Sequence, residues 1–329
     1  MSVLVTGCAG FIGFHVARLL LERGESVIGL DDLNDYYSPA LKRARLDRLE
    51  ERSGFRFVAG NVCDPGVVAE ALRAGPPVRR IVHLAAQAGV RHSLADPGLH
   101  VRSNVLGHVT LLEAARHLDG LEHVVFASSS SVYGLNERMP FAEVDRVDRP
   151  NSVYAASKRS GELMAHAYGQ LYGIPQTGLR FFTVYGPWGR PDMAYYAFAL
   201  AIAEGRPLTL YDEPELCRDF TYIHDVADGV LRALALPPDP DREPVRLVNL
   251  GNHRRERVST LVTLLEQAIG RKAVIALTPK PPSDLSATWA SVERAADLFG
   301  WHPTTSLEEG VPRFVAWLRE HQTRAGSFF

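Results

Sequence analysis

A tyrosine and a lysine stand four residues apart in Tyr154-Ala-Ala-Ser-Lys158. On a helix that spacing puts both side chains on one face, one turn apart. An ammonium a few Å from a phenol favours the phenolate, lowering the pKa by roughly 1–3 units from about 10. A tyrosine tuned in this way can act as a base near neutral pH. The chain has only four lysines, Lys42, Lys158, Lys272 and Lys280, and no other tyrosine has a lysine four residues on. The same spacing also fits an ordinary helical pair on a solvated face, so the pair takes its meaning from its surroundings.

Those surroundings begin at the N-terminus. A short apolar run ends in Gly7, and Gly10 and Gly13 follow at three-residue steps. Phe11, Phe14, Val16, Leu19 and Leu20 then recur with helical spacing. This reads as strand, tight glycine turn and helix, in which a pyrophosphate approaches the backbone and sits on the free N–H groups of the helix N-terminus. The next apolar run, 26–31, ends in Asp31. An acid there is placed to accept hydrogen bonds from an adenosine ribose, and its charge repels a 2′-phosphate, which favours NAD over NADP. The alternative is that Asp31 and Asp32 merely start a turn.

The chain has 329 residues, 46% of them apolar, and a formal net charge of −2. That is ample for one or two domains with a large core. The balanced charge argues against a nucleic-acid or anionic-membrane surface. Cys8, Cys63 and Cys217 are odd in number and far apart, so no disulfide framework or Cys-x-x-Cys site follows. The 12 histidines make no metal-ligand spacing, so no metal is expected. The apolar N-terminus lacks a basic leader and reads better as strand plus helix than as a signal peptide. No apolar run reaches about 18 residues, so no membrane span is expected. A soluble, cytoplasmic protein is the expectation.

Strands are predicted near 3–6, 26–31, 55–59, 80–84, 123–128 and 176–184, with helices near 12–23, 39–52, 66–73, 98–118 and 152–172. This alternation predicts an α/β fold, a Rossmann-type doubly wound parallel sheet with helices on both faces. After residue 186 the pattern loosens. A strand or turn plus helix over 219–235 and a strand over 246–250 are expected to return to the sheet. The domains expected are therefore an NAD-binding unit of 1–185 plus 219–252 and a smaller substrate-binding unit of 186–218 plus 253–329. Ligands of such sheets lie beyond the carboxyl ends of the strands. Asn61, Gln87, Ser128 to Ser131 and Thr183 fall there, although four serines at a strand end also suit a simple turn.

Taken together, these residues resemble the extended short-chain dehydrogenase/reductase superfamily over nearly the whole chain, and within it the nucleotide-sugar epimerases. The resemblance rests on Gly7-Cys-Ala-Gly10-Phe-Ile-Gly13, Leu84-Ala-Ala-Gln87-Ala-Gly-Val90, Ser128-Ser-Ser-Ser-Val-Tyr-Gly134 and Tyr154-Ala-Ala-Ser-Lys158. It continues in Leu179-Arg-Phe-Phe-Thr183-Val-Tyr-Gly186-Pro-Trp-Gly-Arg190-Pro-Asp-Met193 and Arg218-Asp-Phe-Thr-Tyr-Ile-His-Asp225. Segments 32–37 and 180–193 look like those of UDP-glucuronate 4-epimerases.

The resemblance implies Tyr154 as base, Lys158 as its partner and nicotinamide-ribose contact, and Ser129 as the catalytic hydroxyl. It implies a cofactor site of Gly7, Gly10, Phe11, Ile12, Gly13, Asp31, Asn34, Asn61, Val62, Leu84, Ala85, Ala86 and Gln87, with Asn104 orienting nearby groups. A UDP-sugar would meet Ser129, Ser130, Ser131, Thr183, Arg190, Arg218 and Asp284. The reaction implied is 4-epimerisation of UDP-glucuronate and UDP-galacturonate through a 4-keto sugar, with NAD regenerated in each cycle. Rival readings are a UDP-glucose 4-epimerase, a UDP-glucuronate decarboxylase and a non-catalytic NAD-sensing protein. Pro281 stands where galactose-type epimerases carry Arg, and Thr183 where they carry Asn; both argue against plain UDP-glucose. Related decarboxylases place an acid in the turn occupied here by Ser130 and Ser131. Cys217 stands where a basic residue is common, which would weaken a surface contact. Apolar stripes on the helices near 98–118 (Val105, Val109, Leu112) and 152–172 (Leu163, Ala167, Leu171) suggest a two-fold four-helix contact, hence a homodimer.

Overall fold

The computed structural model describes residues 1–213, 215–280 and 285–325, with side chains through His321. Its first half alternates strictly: β1 (Ser2–Thr6), α1 (Phe11–Glu22), β2 (Ser26–Asp31), α2 (Pro39–Glu50), β3 (Phe55–Ala59), α3 (Pro65–Arg73) and β4 (Val78–His83). The short α4 (His92–Ala95) and α5 (Pro97–Val101) lead through one π turn, Arg102–Leu106, into α6 (Gly107–Ala115). Next come β5 (His123–Ser129), a 3-10 turn at Ser130–Tyr133, α7 (Val153–Tyr172), β6 (Gln176–Phe181) and β7 (Thr183–Tyr185). The remainder holds α8 (Ala194–Glu204), β8 (Pro207–Tyr211), β9 (Cys217–Arg218), β10 (Phe220–Tyr222), α9 (Ile223–Ala235) and β11 (Val245–Leu250). It ends with β12 (Glu256–Arg257), α10 (Val258–Ile269), β13 (Val274–Thr278), α11 (Glu293–Phe299) and α12 (Leu307–Ala325).

Seven strands form one parallel sheet in the order β11-β6-β5-β4-β1-β2-β3. Alternate residues of β1 feed the two faces. Val3 and Val5 join the cluster containing Leu20, Val125 and Val230, whereas Leu4 joins Ile28, Val68, Leu111 and Val124. A strand covered by helices on both sides must be apolar throughout, which is why β1 carries no solvent face. The order reverses at β1, between β2 and β4, and this opens a crevice beyond the carboxyl ends of the strands.

The longest of the site helices is α7. The Ser152 hydroxyl accepts a hydrogen bond from the Ala155 N–H at 3.1 Å and caps its start. Gly173, at φ +65°, ends it in the left-handed conformation that glycine adopts without a Cβ clash. Between these caps Tyr154, Lys158 and Glu162 succeed one another at four-residue steps on one face.

The predicted strands lie within two residues of those observed, with one informative exception. The run expected as a single strand over 176–184 divides at Phe182. The Phe182 N–H still bonds the Leu250 carbonyl at 3.2 Å, but the Thr183 N–H turns to the Asp219 carbonyl at 3.0 Å. So β7 leaves the main sheet and pairs in parallel with β10, which does not rejoin that sheet either; only β11 does. The helix expected over 98–118 is broken by its π turn. Asn104 sits in that turn and is drawn sideways into hydrogen bonds with Gln87 and Ser157.

Candidate active site

The crevice is one continuous cleft of about 1030 Å³. Its nucleotide half begins at the glycine turn. A Cβ on Gly13 would fall 2.0 Å from the Gly7 carbonyl oxygen, and one on Gly7 would fall 2.7 Å from the Ala85 nitrogen. Glycine alone lets β1, α1 and the loop after β4 approach this closely. A Cβ on Gly10 would meet only the Gly7 carbonyl, at 3.0 Å, and otherwise fill the cleft. The first turn of α1 carries no side-chain cap among the described residues. Its N–H groups at Phe11, Ile12 and Gly13 line the cleft beside the positive end of the helix dipole. This is a cradle for a pyrophosphate.

Asp31 ends β2 with one carboxylate oxygen accepting from the Ala9 N–H at 3.0 Å and the other from the Leu33 N–H at 2.9 Å. Burial raises its pKa, while those N–H groups and the Lys42 ammonium oppose the rise. Each oxygen keeps a lone pair for a ribose hydroxyl. Asn34 and Asn61 also line the cleft, held through Asp32: Asn34 and Asn61 each donate a side-chain amide N–H to it, at 2.8 and 2.9 Å. Lys42, which sequence reasoning passed over, donates to both the carbonyl and the side-chain oxygen of Asn34 at 2.6 Å. Val62, Leu84, Ala85, Ala86 and Gln87 complete this half. Asn104 lies one layer behind the wall and clamps the Gln87 main chain at 2.7 and 2.9 Å and Ser157 at 2.9 Å.

Tyr154, Lys158 and Ser129 meet in the cleft. The Ser129 side chain favours ionisation of the Tyr154 phenol, and its hydroxyl accepts from the Ser131 N–H at 3.2 Å, so the serines form a turn and a site at once. One expectation is corrected. Burial raises the Tyr154 pKa, and the groups that pull it down are Ser129 and the Arg190 charge rather than Lys158. The lysine is committed elsewhere: its Nζ donates to the Ala127 carbonyl of β5 at 3.1 Å, and burial pushes its pKa down to about 8. Shared helical spacing brings the two side chains to one face, but desolvation dominates the balance. Sequence reasoning also missed Glu162, the next residue in the same four-step series. It accepts from Ser128 at 2.6 Å and from Arg180 at 2.8 and 3.0 Å, fixing α7 against β5 and β6.

Ser130, Ser131, Thr183, Arg190 and Arg218 line the other half of the cleft. Thr183 stands there because β7 has left the sheet. Arg190 pairs with Asp192; burial works against its charge, yet that carboxylate holds its pKa above the usual range. Arg91 and Tyr211, also missed, reach each other from opposite walls. Asp284 and Pro281 lie outside the described residues. Cys217, expected to weaken a surface contact, is itself buried in β9. Among the described residues no group of three His, Cys, Asp or Glu is placed to hold a metal, and no helix is long and apolar enough to cross a membrane.

A doubly wound parallel sheet with a glycine-turn cradle at its switch point, and a Tyr–Lys–Ser group lining the cleft beside it, defines a dinucleotide-dependent enzyme of the short-chain dehydrogenase/reductase type. Residues 3–251 match the model of the NAD dependent epimerase/dehydratase family, and the chain belongs to that family. It is 43% identical to a probable UDP-glucuronate 4-epimerase of Rhizobium meliloti (strain 1021), covering 99% of both chains. It is 45% identical to UDP-glucuronate 4-epimerase 1 of Arabidopsis thaliana, covering 96% of this chain and 76% of that one. A solved structure of a UDP-glucuronic acid 4-epimerase from Bacillus cereus, in complex with UDP-glucuronic acid and NAD, superposes with a TM-score of 0.90. That similarity is at 32% identity and covers 98% of this chain and 100% of that one.

Proposed function

We propose that this protein is an NAD-dependent 4-epimerase that interconverts UDP-glucuronate and UDP-galacturonate through a 4-keto sugar. The observation that carries the reading is that Tyr154, Lys158 and Ser129 line one cleft, between a nucleotide cradle and a polar pocket of Ser130, Ser131, Thr183 and Arg190. NAD held by the glycine turn, Asp31 and Asn61 supplies the hydride acceptor and donor at C4. Tyr154 takes the 4-OH proton and later returns it, while Ser129 holds the same oxygen. Lys158 and Asn104 position α7 and the loop after β4 around that exchange. Arg218 faces the UDP phosphates, and the smaller unit of 186–218 plus 253–329 closes the sugar against the NAD-binding unit of 1–185 plus 219–252.

A 4-keto glucuronate is a β-keto acid and loses CO₂ if its carboxylate swings into line with the carbonyl π system. Hydroxyl donors hold the anion without adding a second negative charge. Ser130, Ser131 and Thr183 supply such donors. UDP-glucuronate should therefore become UDP-galacturonate with C4 deuterium retained and little UDP-pentose formed, as read by NMR. A UDP-pentose as main product would make the protein a decarboxylase, and equal or better activity on UDP-glucose would remove the carboxylate pocket. Thr183→Val should raise KM for UDP-glucuronate by the equivalent of about 1–3 kcal/mol, the cost of a buried acceptor losing its donor.

We also propose a homodimer. Leu112 lies in the core and Val105, Val109 and Ala167 are half-buried, but Leu163 and Leu171 are 53% and 72% exposed on α7. Val101 and Leu106 add exposed apolar surface next to α6. Such surface suits a two-fold contact. Light scattering at micromolar concentration should give twice the 36.3 kDa chain mass; a monomer mass rules the dimer out. All three cysteines are free thiols, two of them buried, which supports a reducing, cytoplasmic setting.

A further inference from the structure

Segments 32–37 and 180–193 are far apart in the chain but meet at the wall of the cleft. The Tyr36 hydroxyl donates to Asp192 Oδ2 at 3.1 Å. Both oxygens of Asp192 accept from Arg190, at 3.0 and 2.5 Å, and the Arg190 guanidinium lies 5.8 Å from the centroid of the Tyr36 ring. Burial, together with the Asp192 charge, pushes the Tyr36 pKa up to about 12, so it remains a donor at neutral pH. Its ring rests edge-to-face on His92 at 4.9 Å. The loop after β4 is cut away to admit it: a Cβ on Gly89 would fall 2.4 Å from the Tyr36 hydroxyl.

A second fastening lies beneath. Arg45 of α2 is fully buried. Its Nη1 donates to the Ala9 carbonyl at 2.8 Å and the Tyr37 hydroxyl at 2.6 Å. Its Nη2 donates to the carbonyls of Trp188 and Gly189 at 2.7 and 3.0 Å. One guanidinium thus ties the glycine turn, the loop after β2 and the loop after β7 together. Arg45 is a permanent root, whereas the Tyr36–Asp192 bond lies at the surface and can open.

We propose that the Tyr36–Asp192 bond is a clasp that retains the dinucleotide. It bolts the loop that follows Asp31 and carries Asn34 to the opposite wall, so release of the cofactor requires the bond to break. This rests on the reading of the protein as an epimerase. An enzyme that restores its cofactor in every cycle gains nothing from exchanging it, and a closed loop suits that economy.

The test uses the protein purified with its NAD, and Tyr36→Phe, Asp192→Asn and the double variant loaded in the same way. Release is followed by dilution into an NAD-consuming glycohydrolase. Tyr36→Phe keeps the ring and its packing on His92, and melting curves at saturating NAD establish that each variant is folded. Release should be at least about tenfold faster in either single variant, and no faster in the double than in the quicker single, because both changes remove one bond. Release rates within about twofold of the unaltered protein, in variants that melt normally, overturn the clasp alone. Loss of NAD from the unaltered protein within seconds overturns the resident-cofactor reading, and the clasp with it.

Discussion

Tyr154→Phe should lose at least about 10²-fold in turnover while still binding NAD, the usual scale for removing a positioned base. The ring fills the same space, so packing is kept, but no oxygen remains to take the 4-OH proton from the Ser129 side. NAD content measured after gel filtration separates loss of the base from loss of the cofactor site. Near-normal turnover would refute the assignment. The pH profile carries a second reading. Burial raises the Tyr154 pKa and Arg190 opposes that rise. Turnover should climb with pH as the phenol ionises, and in Arg190→Gln this limb should move to higher pH, because a positive charge that favours the phenolate is gone. A limb that stays in place, or moves to lower pH, would remove Arg190 from the electrostatics of the base.

Lys158→Met should abolish most turnover and yet stabilise the fold near neutral pH. Lys158 is buried, and its pKa falls from 10.5 to about 8. Between these values the unfolded chain binds more protons than the folded one, so stability rises with pH across that window. The cost of burying the ammonium is fully present below about pH 8 and gone above about 10.5. It amounts to about 3 kcal/mol at most, at 1.36 kcal/mol per unit, and the lost hydrogen bond to the Ala127 carbonyl returns about 1. A gain of about 1–2 kcal/mol at pH 7, fading towards pH 10, is expected from thermal or denaturant unfolding. Destabilisation at pH 7, or a difference that does not change with pH, would show that the lysine is not a desolvated charge.

The sequence alone determined the features that depend on neighbours along the chain. The glycine turn, Asp31 at the end of β2, the capped α7 and the Tyr154–Lys158 spacing are all local. A turn's φ angles, a helix's period of 3.6 and a strand's alternation can be read from residue types a few positions apart. The same logic would have found Glu162, four residues beyond Lys158, had the series been carried one step further. What only the tertiary structure decided involves pairing and desolvation between distant segments. Nothing in the run 176–184 marks Phe182 as the point where the strand leaves the sheet, because the carbonyl that draws Thr183 away belongs to Asp219, 36 positions later. Nor does spacing reveal that Lys158 spends a hydrogen bond on Ala127, that Asn104 sits behind the wall rather than in it, or that Tyr36 reaches Asp192 across the cleft. Charge tuning at the base was misjudged for the same reason. An ion pair can be inferred from spacing, but the loss of water that outweighs it exists only once the sheet, α7 and the returning loops have closed around the phenol.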